Sequence, residues 1–552
     1  MYSFKVVSLT LLIFELILSF SNATDGRIVD LPNGQMQGSL IENYYSFTNI
    51  RYAEPPVRFE PSKPYESNWE GIQNATGEML ACVQFERFAN FTKGQEDCLF
   101  LNIFTPQKAD NNNLLPVFIY IHGGAFMYGS AAFYSPKIIM EEGNMIVVTI
   151  NYRLGPLGFL STEDGAIPGN LGLKDQQLAL RWIKKNIHLF GGDPEKILLT
   201  GESAGGASVH FHVLQIETEN LVSAAAGRSG CALNPWVMQK NPREKTETLA
   251  KLLNCPSEGK ELKCCLKEKP IDKIYAAVGK MFKFLDNPFN LFGPVVEKEN
   301  TPGAFMTAEP RRLIQRGEIA NIPYMVSMTS EEGAYNAAFF LSKNKNGVEY
   351  IDELNERWFE LAPYLLFYYD EPCKECKQKL SESLKEMYMG KERISRKSYL
   401  KLQKMFSDLI FINGILETIK LHRMFGPRPV YSYIYANPHK YGVGNFFAND
   451  LEFEFGATHG DDEALYLPFI PFAQFENATN LTNMKISKYF LKMFETFVSE
   501  GIPLFKDTSL PANENNLEPI KYLQIFGEKY CIGPWMSNKT QECQQSETCF
   551  SY

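Results

Sequence analysis

Histidine and tryptophan are scarce in this chain: seven histidines and five tryptophans in 552 residues. Any chemistry that needs an imidazole therefore has few places to reside. Positive charge is not in excess either. Lys and Arg number 55 against 64 Asp and Glu, a formal charge of −9, which favours solubility and argues against nucleic acid or an anionic membrane as partner. The sequence has no internal repeat and no long Pro-, Gly- or Ser-rich linker. Beyond the N-terminus no apolar run is long enough to span a bilayer. The closing Cys549-Phe550-Ser551-Tyr552 is neither an ER-retention signal nor a lipid-anchor tail. What the chain does have is a 45% hydrophobic content, ample for a large core. Average domain size would suggest three or four domains, but α/β folds often exceed that average. We expect one domain over residues 24–530, with a Cys-containing tail over 531–552.

Residues 1–23 read as a signal peptide. Lys5 gives a basic start, residues 6–20 are mostly apolar though interrupted by Glu15, and Ser21-Asn22-Ala23 offers a small-x-small cleavage site. Secretion follows, and sequons at Asn74, Asn90, Asn477, Asn480 and Asn538 agree with that route. The eleven cysteines should mostly pair in an oxidising compartment, with an odd one left over. Cys82 and Cys98 enclose fifteen residues, a loop whose closure is worth about 3 kcal/mol in the entropic model. Cys255 pairs with Cys265 or Cys264, and Cys373, Cys376, Cys531, Cys543 and Cys549 could form further bridges. Cys373-x-x-Cys376 lacks the βαβ frame of a redox motif, and Cys231 sits in an apolar stretch that suits a buried thiol.

Residues 116–121 and 145–150 are short, continuous apolar runs, the pattern of parallel strands buried on both faces. Residues 175–190 keep helical spacing through Leu178, Ala179, Trp182, Ile183 and Ile187 until Gly191-Gly192-Asp193-Pro194 stops them. Residues 196–200 read as a strand and 207–214 as a helix. The alternation indicates an α/β sheet with crossover helices. Further strands are expected at 322–329 and 429–436, with an amphipathic helix at 484–500. Residues 240–420 are mostly helical in pattern and read as insertions that shape a pocket.

Between the strand at 196–200 and the helix after it stands Gly201-Glu202-Ser203-Ala204-Gly205. The pattern Gly-x-Ser-x-Gly alone is weak, since chance supplies roughly one match per five chains of this length. Its strand–turn–helix frame is what the nucleophile elbow of α/β-hydrolases requires. A serine hydroxyl needs a neighbouring base, and the base needs an acid that fixes its tautomer. Of the histidines, His459 stands out on a glycine-flanked loop beyond a predicted strand. His210 and His212, two apart on a helix, point to different faces and do not suggest a metal site. The acid should lie at the carboxyl end of a strand, where Glu331 and Glu332 are equal candidates by position. His122-Gly123-Gly124-Ala125-Phe126 follows a buried strand and fits an oxyanion loop, with Gly123, Gly124 and Ala204 as backbone donors. Each such donor is worth about 3 kcal/mol of transition-state stabilisation.

Several stretches make the chain resemble type-B carboxylesterases of the cholinesterase-related family, secreted insect esterases in particular. They are Tyr52-Ala53-Glu54-Pro55-Pro56, Glu96-Asp97-Cys98-Leu99-Phe100-Leu101-Asn102, Asn151-Tyr152-Arg153-Leu154-Gly155, Asp175-Gln176, Phe190-Gly191-Gly192-Asp193-Pro194, Phe292-Gly293-Pro294-Val295-Val296-Glu297 and the elbow itself. The resemblance implies an α/β-hydrolase fold and a carboxylic ester hydrolase acting on small-molecule esters without metal or organic cofactor. It implies Ser203 as nucleophile, Glu332 as acid and His459 as base, with Glu202 and Ser229 in support. It also implies Cys82–Cys98 and Cys255–Cys265 bridges. The rival reading is a non-catalytic binding or adhesion homologue; such proteins lack a triad residue, and here all three are present. Residues 221–228 depart from the family's usual bulkier stretch, which places a difference near the acyl side of the pocket. Ser327 replaces a usual glycine. The Cys82–Cys98 loop holds no tryptophan, which speaks against choline esters. Glu202 stands where juvenile hormone esterases usually carry Gln, which speaks against a specialised hormone esterase. A histidine base implies acylation that declines below roughly pH 6 to 7.

Overall fold

Runs of Val, Ile and aromatic residues too short for helices pair side by side into one large sheet. The computed structural model describes residues 26–86, 91–110, 113–470, 481–514, 516–534 and 549–550. The signal segment, the sequons at Asn90, Asn477, Asn480 and Asn538, and Cys543 lie outside the described residues. The sheet strands are β1 (Ser39–Ile41), β2 (Tyr44–Arg51), β3 (Phe100–Pro106), β4 (Leu115–Ile121), β5 (Ile146–Ile150), β6 (Gly192–Glu202), β7 (Ala224–Arg228), β8 (Tyr324–Thr329), β9 (Val430–Tyr435), β10 (Lys521–Phe526), β11 (Lys529–Pro534) and β12 (Cys549–Phe550). Their spatial order is β12-β11-β10-β9-β8-β7-β6-β4-β5-β3-β2-β1, with a short strand Ala512–Asn513 beside β9. From β5 through β4, β6, β7, β8 and β9 to β10 every pairing is parallel. The outer strands pair antiparallel. This is the mixed, mostly parallel sheet of an α/β-hydrolase.

Alternate residues of each strand feed opposite cores, as strand geometry requires. Val117, Ile119 and Ile121 of β4 join one cluster, Phe118 and Tyr120 the other. Helices α1 (Leu171–Asn186) and α2 (Ala204–Val213) cover the first face with Ala179, Ile183, Val209 and Phe211. Helix α3 (Leu481–Glu500) covers the second with Ile486, Phe490, Phe494 and Phe497. The motif residues between these helices lock them. Arg153 and Asp175 form a fully buried ion pair at 2.7 Å, and Gln176 Nε2 donates to Ser208 Oγ at 3.0 Å, tying α1 to α2.

Three expectations are adjusted. Helix α1 begins at Leu171, ahead of the expected 175, and its last turn tightens into a 3₁₀ segment, Ile187–Phe190, before Gly191 at φ +88°. Within the stretch 221–228, residues 224–228 are a core strand: β7 is wholly buried between β6 and β8, with Ala225 in one core and Ala224 and Ala226 in the other, and it reaches the site through the Arg228 carbonyl. The sheet also continues across residue 531, because β11 pairs with both β10 and β12. The Cys82–Cys98 and Cys255–Cys265 bridges are present, which settles the choice between Cys264 and Cys265. Cys373 and Cys376 are bridged to each other, and Cys231 is a buried free thiol.

Four buried histidines stay neutral in the fold. Burial holds His122 and His422 at about 4 and His212 at about 3. His210 is also held low, by burial and then by His422, whose Nε2 is 2.9 Å from its own. His212 pairs instead with Gln176, so the two helix histidines do serve different faces. In each case the folded pKa is below the unfolded value near 6.5, so the unfolded chain binds more protons and stability falls with pH from about 6.5 down to about 4. Each histidine can withdraw on the order of 1–3 kcal/mol across that window. Thermal melts should show Tm dropping continuously from pH 7 to 4.5, and a Tm constant over that range would contradict the assignment.

Candidate active site

Strand β6 delivers Ser203 into a turn that ordinary side chains avoid. Ser203 adopts φ 58° and ψ −121°, a strained conformation held by the parts around it. Its N–H donates to Arg228 O at 2.8 Å on the neighbouring strand. Gly205 lies against β4 so closely that a Cβ there would come within 2.0 Å of Ile121 O. Only glycine permits this close passage of helix start and strand end. Ala204 opens α2, where first-turn N–H groups have no intrahelical acceptor.

The loop after β4 runs alongside. A Cβ on Gly123 would approach Glu202 O to 2.8 Å and Ser203 Cβ to 3.0 Å. Gly124 turns at φ +100°, and its carbonyl accepts from Met127 and Tyr128 N–H at 2.9 and 3.0 Å. Of the expected oxyanion residues, Gly123 and Ala204 border Ser203, while Gly124 follows Gly123 on the loop and packs against Tyr128.

At the end of β8 the two candidate acids diverge. Glu332 is fully buried. Its Oε1 accepts from Ser229 Oγ at 2.6 Å and from Thr329 N–H at 2.7 Å, and its Oε2 lies 2.5 Å from His459 Nδ1. Glu331 turns away to accept from Gln403 Nε2 at 2.8 Å. Its backbone N–H donates to Ala457 O at 2.9 Å, which ties the acid turn to the histidine loop.

His459 is 4% exposed, between the rings of Phe411 and Tyr335 at 4.6 and 4.9 Å. Its Nε2 is 2.9 Å from Glu202 Oε1, an ionic contact not aligned as a hydrogen bond. Burial disfavours a charged ring, but the Glu202 and Glu332 carboxylates on either side outweigh it, and the pKa of His459 is raised well above its ordinary value. Sequence reasoning missed the two flanking rings. Tyr335 follows the acid by three residues, while Phe411 stands in a π-helical turn, Ser407–Ile412. Such turns often mark functional sites, but their i→i+5 bonding leaves no clear periodicity to read.

A family model described as the carboxylesterase family matches residues 25–545. The chain belongs to the carboxylesterase family. It is 42% identical to Esterase P of Drosophila melanogaster over 527 residues, covering 93% of this chain and 95% of the relative. It is 43% identical to Esterase-5A of Drosophila miranda over 483 residues, 86% of each chain. It is 42% identical to Esterase-5B of Drosophila persimilis over 508 residues, 90% of this chain and 92% of the relative. Like the family, this carboxylesterase is a carboxylic ester hydrolase whose substrates are small-molecule esters. Among the described residues no helix is long and apolar enough to cross a membrane.

Proposed function

We propose that Ser203, His459 and Glu332 are the catalytic triad of a secreted serine carboxylesterase. Ser203 Oγ attacks the ester carbonyl carbon while His459 Nε2 takes its proton. The tetrahedral oxyanion faces the N–H groups of Gly123, Gly124 and Ala204. As the intermediate collapses, the C–O bond to the alcohol breaks and His459 returns the proton to the departing alkoxide. The acyl group stays on Ser203. Water then attacks that acyl carbon and His459 takes one of its protons; as the tetrahedral intermediate collapses, His459 passes that proton to Ser203 and the carboxylic acid leaves, ionising to carboxylate in solvent. Glu332 holds the ring through Nδ1 and is itself held by Ser229. The observation that supports this reading most is the unbroken chain Ser229–Glu332–His459 ending beside the Ser203 elbow.

We also place the protein outside the cell, on the strength of residues 1–23, the sequons and the three bridges. Asn74, the one sequon among the described residues, is exposed on strand Ile72–Asn74. In this reading the catalytic domain begins at residue 24 and runs past 530, because the sheet continues through β11 and β12. The aromatic frame of Phe411, Tyr335 and Tyr128 around the site favours uncharged, apolar esters.

The pH profile tests the base. A neutral ring is required, so kcat/KM falls as pH drops through the folded pKa of His459. That pKa is raised, so the acid limb should stand above the ordinary histidine value near 6.5, higher than the sequence alone suggests. Glu202→Gln removes one of the two carboxylates responsible. The limb should then move to lower pH by about one unit. A limb that stays in place would remove Glu202 from the account.

A further inference from the structure

Arg228 is an unusual residue to find at the end of a central strand. Its side chain is 1% exposed. Nη2 donates to Glu463 Oε1 at 2.7 Å, Nε reaches Thr200 Oγ1 at 3.3 Å, and Nη1 has no acceptor. The guanidinium lies over the rings of Tyr466 and Tyr120, 4.9 and 5.8 Å from their centroids. Burying such a cation is costly unless its partners repay the lost hydration, and a hydrophobic replacement of the whole pair is often neutral or stabilising. A pair like this is therefore weak as a source of stability, and its position suggests another use.

The dipeptide Arg228-Ser229 touches all three segments that carry the site. The Arg228 carbonyl accepts from Ser203 N–H. Ser229 Oγ donates to Glu332. The Arg228 side chain grips Glu463, four residues beyond His459 on the same loop. The loop is also tied to the sheet by Tyr433 Oη, which donates to Asp462 Oδ2 at 2.7 Å, while Asp461 accepts from Thr458 within the loop and from Val443 N–H outside it. The charged and titratable groups facing Arg228 are Glu463 and Asp462 from the loop, Tyr433 from β9 and Tyr120 from β4. Glu202 and Glu332 lie beyond them, facing Asp462. Among these groups Arg228 is the one permanent cation.

We propose that Arg228 is a positioning residue: through Glu463 it fixes the His459 loop against the Ser203 elbow, so that the imidazole stands in register with the nucleophile. The proposal rests on the triad reading above. A strut of this kind acts on the chemical step rather than on substrate binding, because the Arg228 side chain is taken up by Glu463, Thr200 and the rings of Tyr120 and Tyr466.

The test uses the full-length enzyme and counts active sites with a fluorophosphonate, which forms a bond to an activated serine as fluoride leaves. Three variants are compared: Arg228→Lys, Arg228→Met, and Arg228→Met with Glu463→Leu. The double variant leaves no unpaired buried charge and keeps the measurement meaningful if Arg228→Met folds poorly. With p-nitrophenyl acetate, kcat per titrated site should fall 10- to 100-fold, an order of magnitude set by misplacement of a catalytic group by about 1 Å. KM should stay within about threefold in both Met variants, since lost transition-state contacts alone lower kcat. Arg228→Lys should recover most of the loss, and the double variant should be no slower than Arg228→Met alone. A double variant with wild-type Tm and wild-type kcat per site overturns the proposal. So does a loss confined to KM. Absence of any titratable serine in the wild type would instead overturn the triad reading on which the proposal stands.

Discussion

Ser203→Ala lowers kcat for p-nitrophenyl acetate by about 10⁴- to 10⁶-fold, the range seen when a triad nucleophile is removed. The size of the effect follows from what the elbow does. It presents the Ser203 oxygen beside the Gly123 loop and the start of α2. The fold should survive, because Ser203 is held by its backbone: its N–H donates to Arg228 O and its carbonyl accepts from Ala207 N–H. Tm should shift by no more than a few degrees. Residual turnover over the uncatalysed reaction reports the oxyanion donors, which the substitution leaves in place. Steady-state kinetics on the purified variant check this, and a rate within tenfold of wild type would show that the elbow serine is not the nucleophile.

Glu332→Gln should cost about 10³- to 10⁴-fold in kcat, whereas Glu331→Gln should stay within about threefold. The amide of a Gln at 332 cannot accept as a carboxylate does from His459 Nδ1, Ser229 Oγ and Thr329 N–H at once, so the ring loses both its tautomer and the charge that stabilises its cation. The Glu331 side chain is instead hydrogen-bonded to Gln403. Equal losses in both variants would mean that the two carboxylates act together, contrary to the divergence of their side chains.

Much of this architecture is legible in the sequence because it is written in short-range terms. Strands β4, β5 and β6 carry short continuous apolar runs, and the elbow announces itself by Gly201 and Gly205 between a strand and a helix. The acid shows where legibility ends. Position leaves Glu331 and Glu332 tied, and family resemblance rather than chemistry separates them; the side chains part only because the turn after β8 sends one toward His459 and the other toward Gln403. The stretch 221–228 is visible as unusual but not interpretable. Its alanines read as a pocket feature, yet they line a central strand, since which strands neighbour the elbow is decided by sheet order, a long-range property. The Arg228–Glu463 contact joins residues 235 positions apart, and no local pattern signals it. Phe411 is hidden for the same reason, in a π-helical turn that breaks the helical period.

The central claim is that ester hydrolysis proceeds through covalent attachment to Ser203. Intact-protein mass spectrometry after treatment with a fluorophosphonate, followed by peptide mapping, tests it most directly. The account predicts one adduct per chain, located on Ser203, with esterase activity lost in proportion to labelling and no adduct on the Ser203→Ala variant. Full labelling at another residue, or activity that persists when Ser203 is fully modified, would contradict it.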